Sequence, residues 1–387
     1  MIMSLRLSKM KKSVHIIFCL GLLLLTLSCE KRYGIEMAGQ PIYLSVSLPE
    51  EKPETKVPFE GSAPSTSNPL NVSVWASTTP AVFKNEGLDG GEEAGFKVSI
   101  HTYGHFQSGS PQLLTQAIYP PPRDGESGSY TADPVYFVAM HPRSADWTTD
   151  EDGKTAKYIF SGCEDVMFAP QVQGAYDTEK QEQEVTVSPT LAFQHLLTRI
   201  SVKMGIVLEE GENLEDVKNA WGEVTALKIQ AYDSEGGGVL EGLDVVSIDL
   251  QQGEGFDYDR DVKFSYSGVG SSIGSSMNFY LTGTDTEFAG ASVSLSNEME
   301  ELAYVMCAPV VAIDDSHEYL ITVTTKNRGD QKVVLDLMKD GSTKFIGSTR
   351  GKHFGVSLKF KKGNAIAIDA GVDDWQNGGF GSGEFDD

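Results

Sequence analysis

Residues 42–48 read Ile-Tyr-Leu-Ser-Val-Ser-Leu, with an apolar side chain at every second position. In an extended strand successive side chains point to opposite faces, so this alternation separates the four aliphatic residues from Tyr43, Ser45 and Ser47. A strand of this kind buries one face in a core and leaves the other in water, as strands of antiparallel sheets do. Residues 42–48 therefore predict a half-buried β-strand.

The same alternation recurs along most of the chain. Turn clusters rich in glycine and acidic residues separate the alternating segments, and few segments have a helical period. The 40 glycines of the chain favour turns over helices in the same way. The sequence therefore predicts an all-β fold built from β-sandwiches. The further alternating segments are 70–74, 96–100, 277–281, 291–295, 319–323 and 356–360.

Two short stretches depart from the alternation. Residues 213–221 (NLEDVKNAW) predict a short helix. Residues 191–197 (LAFQHLL) have an ambiguous period and precede the β-branched Ile200 and Val202, so we interpret them as the beginning of a strand. Helix therefore has a minor place in the predicted fold.

The chain is long enough for two domains. Its 387 residues exceed the usual size of a single domain, and each half can bury a core. Residues 171–184 (QVQGAYDTEKQEQE) are polar and lack an apolar period, which is typical of a boundary or a long loop. We therefore predict two tandem β-sandwich domains, at residues 41–183 and 184–387.

The first residues have the layout of a bacterial secretory leader. Four basic residues precede an apolar run, residues 14–27, and this run is too short to span a bilayer comfortably as a helix. The run is followed by Ser28 and Cys29. We therefore predict a signal peptide over residues 1–28.

Cys29 is the predicted lipid-bearing residue. A lipoprotein peptidase needs a small residue before the cysteine, which Ser28 supplies and which Phe18, before Cys19, does not. Cleavage between Ser28 and Cys29 would leave residues 29–40 as a lipid-anchored linker. The alternative is an ordinary cleaved leader, but no A-x-A-like site lies nearby.

The net charge argues against two classes of partner, nucleic acids and anionic lipids. Without the four basic residues of the leader, 27 basic and 55 acidic side chains remain, a net charge of −28. Such a chain does not favour nucleic acid or anionic lipid head groups. The acidic residues are scattered, so we interpret them as a solvated surface on a soluble body held beside a membrane by a lipid.

Motifs for catalysis or metal binding are weak. Residues 270–274 (GSSIG) match G-x-S-x-G, but a nucleophile elbow needs a strand before it and a helix after it, and a Gly/Ser loop surrounds this match. His101 and His105 form a close pair without an acidic neighbour, and Cys163 and Cys307 lack metal-site spacing. A disulfide between the two cysteines is an alternative. No catalytic residue, cofactor site or metal site is expected.

Two blocks near mid-chain resemble the signature of the fimbrillin family of Gram-negative bacteria. The first is Asp165–Ala169 (DVMFA), and the second, within Val185–Lys203, contains the F-x-H-x-L pattern. The segments 72–77, 351–356 and 372–378 also match, so the resemblance covers nearly the whole mature chain. It implies two tandem sandwiches of transthyretin-like or Ig-like Greek-key topology, in a lipoprotein similar to subunits of fimbriae, the polymeric surface fibres used for adhesion.

The resemblance also implies a mode of assembly. In stalk subunits of that family a protease removes the first strand, and a strand of the next subunit fills the groove by β-augmentation. The expendable strand would be Ile42–Leu48, and the cut would fall in Pro49–Ser67, which contains Lys52 and Lys56 but no arginine. Lys56 is the candidate site, because Pro53 follows Lys52.

The missing arginine leaves the role of the subunit open. An arginine-specific protease would leave the first strand and the lipid in place, which describes an anchor and not a stalk subunit. The tail after Trp375 is glycine-rich and a poor donor strand, whereas residues 365–374 could serve if they detached. The implied partners are other fimbrial subunits, the outer membrane through the lipid, and surface ligands of host or bacterial cells. The implied location is the outer-membrane surface and the fimbrium.

Two other functions remain open from the sequence. A monomeric surface lipoprotein that binds glycans would present clustered exposed aromatic residues on one sheet face. An envelope hydrolase would need a histidine and an acid beside Ser272. We interpret His195 as a hydrogen-bonded structural residue, and Trp75 and Trp375 as core or interface residues.

Overall fold

The computed structural model describes most of the chain between Ile42 and Asp374. The described residues are 42–48, 64–84, 100–115, 117–118, 134–174, 188–233, 238–239, 244–251, 255–265, 276–312, 317–335, 337, 345–363 and 366–374. The predicted signal peptide (1–28), linker (29–40), Ser28, Cys29, Lys56, Ser272 and Trp375 lie outside these ranges.

Strands dominate the described residues, which confirms the predicted all-β class. Among the described residues the helices are α1 (Leu214–Trp221) and α2 (Tyr258–Asp261), and neither is long and apolar enough to cross a membrane. In chain order the strands are β1 (Ser45–Ser47), β2 (Leu70–Ser77), β3 (Ile100–Phe106), β4 (Val135–His141), β5 (Thr148–Thr149), β6 (Thr155–Ile159), β7 (Met167–Gly174), β8 (Thr190–Ala192), β9 (Gln194–His195), β10 (Thr198–Ile206), β11 (Val224–Asp233), β12 (Gly238–Val239), β13 (Val245–Asp249), β14 (Val262–Ser265), β15 (Met277–Asn278), β16 (Tyr280–Leu281), β17 (Ala289–Val293), β18 (Glu300–Cys307), β19 (Val311–Ala312), β20 (His317–Thr325), β21 (Gly329–Leu335), β22 (Gly347–Ser348), β23 (Lys352–Phe360) and β24 (Ile366–Asp374).

Four larger sheets and two strand pairs organise these strands. The first sheet has the order β3-β2-β4-β7-β9, the second β14-β13-β6-β5, the third β16-β18-β10-β23-β24, and the fourth β12-β11-β20-β21, with β15 and β17 also paired to β11. The two pairs are β1-β8 and β19-β22. Pairing is antiparallel except between β10 and β23 and between β1 and β8, where it is parallel.

The third and fourth sheets enclose one apolar core. On β10 the alternating Ile200, Val202 and Met204 point into it, and Ile321 of β20 and Val356 of β23 meet them there. These two facing strands are the predicted segments 319–323 and 356–360. Period two in the sequence therefore becomes one buried face on each strand.

The first sheet is buried on both faces. Val72 and Val74 of β2 point into a core that also contains residues of the first strand, whereas Trp75 points into a second core with Tyr158 of β6 and Tyr304 of β18. Every residue of β2 except Asn71 is therefore buried, including the polar Ser73 and Ser77. Trp75 is fully buried, in agreement with its interpretation as a core residue.

Strands from both sides of the predicted domain boundary pair with each other. Strand β7 extends to Gly174, so the first residues of the predicted boundary segment (171–184) form a strand. Residues 175–187 lie outside the described ranges. Strand β9 pairs with β7, and β13 pairs with β6. All described residues fall in one compact unit that begins at Gly39. The division into 41–183 and 184–387 stays a prediction.

The two stretches without strand alternation fold as expected. Helix α1 begins after Asn213, whose side-chain Oδ1 accepts a hydrogen bond of 2.9 Å from the Asp216 N–H. This N-cap satisfies one of the free amide groups at the start of the helix. Residues 191–197 supply parts of β8 and β9, as interpreted.

The predicted strand 277–281 is wrong in one respect. It divides at Phe279, because β15 before it pairs with β11 in the fourth sheet and β16 after it pairs with β18 in the third. Phe279 itself is buried in the core between these sheets. The alternation indicates neither the change of sheet here nor the burial of Tyr280, on the opposite face, in a second core.

Cys163 and Cys307 are free, so the alternative of a disulfide between them is not realised. Burial raises the pKa of the Cys163 thiol to about 11, although a hydrogen bond with Ser161 acts in the opposite direction. Burial raises the pKa of Cys307 to about 12. Both thiols therefore stay protonated at neutral pH, and neither has the properties of a nucleophile.

Candidate functional site

The first strand, residues 42–48, lies in a groove between two distant parts of the chain. We call this groove the seat; residues 112–115 and 117–118 form one side of it and β8 forms the other. Ile42, Leu44 and Val46 are 1%, 0% and 4% exposed, whereas Tyr43 is 37% exposed. The three buried side chains share a core with Val72 of β2 and with residues of β4, β7 and β8. The predicted alternation of this strand is therefore confirmed.

One wall of the seat is the strap, defined as residues 112–115 and 117–118. The Ile42 N–H donates to the Ile118 carbonyl at 2.8 Å. Leu44 and Gln112 exchange two backbone hydrogen bonds, of 2.9 and 2.8 Å, in an antiparallel bridge. Thr115 N–H donates to Tyr103 O of β3 at 2.9 Å, which attaches the strap to the edge of the first sheet.

The other wall is β8. Ser45 pairs with Thr190 in a parallel register that continues to the end of β1. The Ser45 N–H donates to the Pro189 carbonyl at 3.0 Å, and the Phe193 N–H donates to the Ser47 carbonyl at 3.0 Å. Immediately after Phe193 the chain becomes β9, which pairs with β7 at the opposite edge of the first sheet.

The first strand therefore connects the two edges of the first sheet. Through the strap it reaches β3, and through β8 it reaches β9. Without it, hydrogen-bonding groups of Gln112, Ile118, Pro189 and Phe193 would lose their partners, and the apolar residues below would meet water. Both losses are unfavourable, since unpaired buried polar groups and exposed apolar surface each cost free energy.

Two glycines let the backbone approach the strand closely. A Cβ atom at Gly174 would lie 3.1 Å from Ile42 Cγ2 and 3.1 Å from the Phe137 ring. A Cβ atom at Gly109 would lie 3.3 Å from Val46 O. These contacts are tighter than ordinary van der Waals contact, so the seat is fitted closely to this strand.

The two motif blocks that carry the family resemblance meet beside the seat. Met167 in β7 pairs with His195 in β9, and the Leu196 N–H donates to the Val166 carbonyl at 2.8 Å. His195 Nδ1 lies 2.8 Å from Asp165 Oδ2, and both side chains are almost fully buried. His195 is therefore a structural residue, as interpreted, and the pair anchors β9 and with it the wall that β8 provides.

His141 of β4 faces this buried pair. Its Nδ1 lies 2.8 Å from the Asn71 carbonyl oxygen. Burial lowers the pKa of His141, while the nearby Asp165 carboxylate opposes the shift. No pattern in the sequence predicts this group, because His141, Asp165 and His195 come from three separate strands or turns.

The other singled-out histidines do not form a chemical site. The His101 ring stacks on Trp75 with centroids 4.2 Å apart, and His105 Nδ1 lies 2.6 Å from Asn71 Oδ1. Within the described ranges no three His, Cys, Asp or Glu side chains are placed to hold a metal ion. Among the described Phe, Tyr and Trp side chains Tyr43, at 37%, is the most exposed, so these residues do not form the cluster of exposed aromatics that a glycan-binding surface would present.

The candidate site is thus the seat. The sequence predicts the strand that fills it, residues 42–48, but does not predict the strap and β8 on either side. The strap (QLLTQAI) has no period-two pattern, and nothing in the alternation of β8 marks it as a parallel partner. Asp165 and His195 were visible only as parts of the motif blocks. Cys29 and Lys56, the predicted lipidation and protease sites, lie outside the described residues.

No family model matches the chain, and no curated protein is similar to it. Solved structures similar to it include a proposed cell adhesion protein of Bacteroides uniformis, at 13% identity over 87% of this chain and 99% of that one, with a TM-score of 0.44. A second, from Bacteroides ovatus, has 14% identity over 87% and 98% of the chains and a TM-score of 0.42.

A third similar structure is the fimbrial anchor protein Mfa2 of Porphyromonas gingivalis, at 9% identity over 86% of this chain and 98% of that one, with a TM-score of 0.32. Identities this low, with TM-scores below 0.5, do not transfer an activity from those proteins to this chain.

Proposed function

We propose that this chain is a fimbrial subunit or fimbrium-associated surface lipoprotein that acts in adhesion and joins other subunits by strand exchange. The observation that supports exchange is the seat. Its occupant, Ile42–Leu48, is bonded on both sides to segments far away in sequence, and it fills a core with alternate side chains. A strand of this kind can be replaced by an equivalent strand of another subunit, because β-augmentation restores both the backbone bonds and the core.

The proposed assembly is head-to-tail. One subunit offers its emptied seat and another offers a strand, so the contact does not close on itself and generates a filament. Residues 365–374 are a candidate donor, since β24 is the last strand of the third sheet and pairs on one side with β23. Release of β24 would break that pairing over nine residue positions, which is the main cost of this choice.

Proteolysis after Lys56 should convert the lipid-free protein into a polymerising form. Trypsin treatment of protein beginning at residue 30 is expected to yield a species cut between the first strand and β2. That species should form ladders on a denaturing gel without boiling, because exchanged strands resist dissociation in detergent. Mass spectrometry of the bands would locate the cut.

Lys56→Gln is the matched control for this experiment. The variant keeps the trypsin sites upstream of residue 42, so trimming there leaves the first strand covalently attached, and no ladder is expected. A protein that stays monomeric after a verified cut at Lys56 would count against strand exchange. A ladder from uncut Lys56→Gln would show that strand removal is unnecessary.

The lipid anchor is a separate part of the proposal. Mass spectrometry of native outer membranes should find Cys29 as a lipid-modified N-terminus, since Ser28 supplies the small residue before it. An unmodified N-terminal peptide that begins elsewhere would overturn the anchor and leave the seat unaffected.

A further inference from the structure

We infer that the seat responds to acid, and that protonation of His141 loosens the β8 wall and lets the first strand leave. This inference rests on the proposed strand exchange and adds a condition that regulates it. The sensor is a group of three titratable side chains at the end of the core that the first strand completes: His141, Asp165 and His195.

Two of these side chains lie in one row across the first sheet. His141, the last residue of β4, pairs with Met167 of β7, and Met167 pairs with His195 of β9. Residues that pair across antiparallel strands point to the same face, so the two histidines flank Met167. Met167 belongs to the core that also contains Ile42 and Leu44 of the first strand. The two histidines therefore border the core in which the first strand lies.

Few titratable groups surround His141. Strands β2 and β7, on either side of β4, contain no titratable side chain. Arg143, two residues after His141, lies over the Tyr103 ring at 4.2 Å. Among the described residues, Asp165 and His195 are the titratable groups that act on His141.

One carboxylate is shared by the two histidines. Asp165 Oδ2 lies 2.8 Å from His195 Nδ1, and these side chains are 0% and 2% exposed. His141 Nδ1 lies 2.8 Å from the Asn71 carbonyl oxygen, a bond that uses the single N–H of a neutral imidazole. Burial lowers the pKa of His141; Asp165 and the Asn71 carbonyl oppose this shift, and His195 adds to it. A proton on His141 is therefore unfavourable while the row stays closed.

The row is connected to the first strand through β9. Next to β9, the Phe193 N–H donates to the Ser47 carbonyl at 3.0 Å, and Phe193 follows β8 directly. An opening that separates β9 from β7 and exposes His141 to water therefore also weakens the β8 wall.

Acid favours this open state. A histidine in water takes up a proton as the pH falls below about 6.5, whereas His141 in the closed row does so only at a lower pH. The closed state therefore keeps its full stability above that pH and loses it progressively as the pH falls towards the lowered pKa of His141.

Hydrogen exchange of the intact lipid-free protein would test this response. Protection of the Phe193 amide is compared at about pH 7 and about pH 5.5, a range over which most carboxylates keep their charge. The rates are corrected for the pH dependence of exchange itself. We expect protection to fall at the lower pH.

Two histidine variants isolate the contribution of His141. His141→Asn removes the titrating ring and keeps an N–H donor for the Asn71 carbonyl, whereas His105→Asn makes the same change at an exposed histidine of β3. His353, whose pKa burial lowers to about 3, weakens the protein in acid as well, but it is present in both variants. The loss of Phe193 protection should be several-fold larger in His105→Asn, and at most about tenfold, because one pH unit corresponds to a factor of ten.

The same variants, cut at Lys56, test the consequence for exchange. A fluorescein-labelled peptide with the sequence of residues 42–48 should enter the seat of His105→Asn faster at about pH 5.5 than at about pH 7, and His141→Asn should show a smaller change.

The contrary results are distinguishable. A pH response of the same size in both variants would overturn this inference and leave strand exchange standing. An NMR titration of the unmodified protein in which His141 takes up its proton at the ordinary pKa of about 6.5 would overturn it too, without depending on the folding of a variant. If acid loosens the seat but the cut protein forms no ladder at either pH, the proposed strand exchange fails and the acid response of the seat stands.

Discussion

Leu44→Asp is expected to release the first strand from its seat. Leu44 is fully buried, so the change removes the apolar contact of a core leucine and places a charge among Val72 and its neighbours. Loss of the leucine alone costs about 2–5 kcal/mol, and burial of an unpaired carboxylate adds to it. We expect the strand to leave the seat in preference to burying the charge.

Hydrogen exchange would detect this release directly. The amides of Gln112 and Phe193 donate to the first strand, so both should lose protection in the Leu44→Asp protein. Ser47→Asp is the matched control, because Ser47 lies on the same strand with its side chain exposed. Equal protection in the two variants would show that the seat does not depend on the buried face of the strand.

Asp165→Ala is the second change with a large expected effect. It leaves His195 buried beside a cavity without its carboxylate partner, 2.8 Å away in the intact protein. Breaking such a pair costs about 3 kcal/mol or more in the free energy of unfolding. Because His195 belongs to β9, the wall formed by β8 should loosen as well, and the first strand should exchange more readily.

Urea unfolding would measure the loss in the free energy of unfolding. The rate at which the cut protein binds a labelled peptide with the sequence of the first strand would measure the easier exchange. Asp152→Ala is a suitable control, since the Asp152 side chain is 72% exposed and lies 3.5 Å from the partly exposed Lys154 Nζ. We expect that control to remain within about 0.5 kcal/mol of the unmodified protein. If Asp165→Ala were as stable as the control, the buried pair would have no role in holding β9.

Local patterns in the sequence were sufficient for the first strand and for helix α1. The alternation in 42–48 identified the buried residues, and Asn213 marked the beginning of α1. Both depend on neighbours a few residues away, which is the range over which side-chain period and capping act.

Partners and register could not be predicted in the same way. Period two assigns a face to each strand but does not say which strand lies beside it, so the parallel pairing of β1 with β8 had no local signal. The change of sheet at Phe279 is hidden for the same reason. Asp165 and His195 are ordinary polar residues in the sequence, and only the fold places them 2.8 Å apart.

The position of the first strand also sets the order in which the molecule can be completed. Ser45 and its partner Thr190 are 145 residues apart, so during synthesis the strand emerges long before β8 exists to receive it. Until then an apolar segment with no partner is present, a condition that favours association with other chains. Insertion of the first strand into the seat of its own chain and the proposed insertion of a strand from another chain then fill the same groove. Fibre assembly therefore requires that strands of other chains do not enter the seat before the chain's own first strand does.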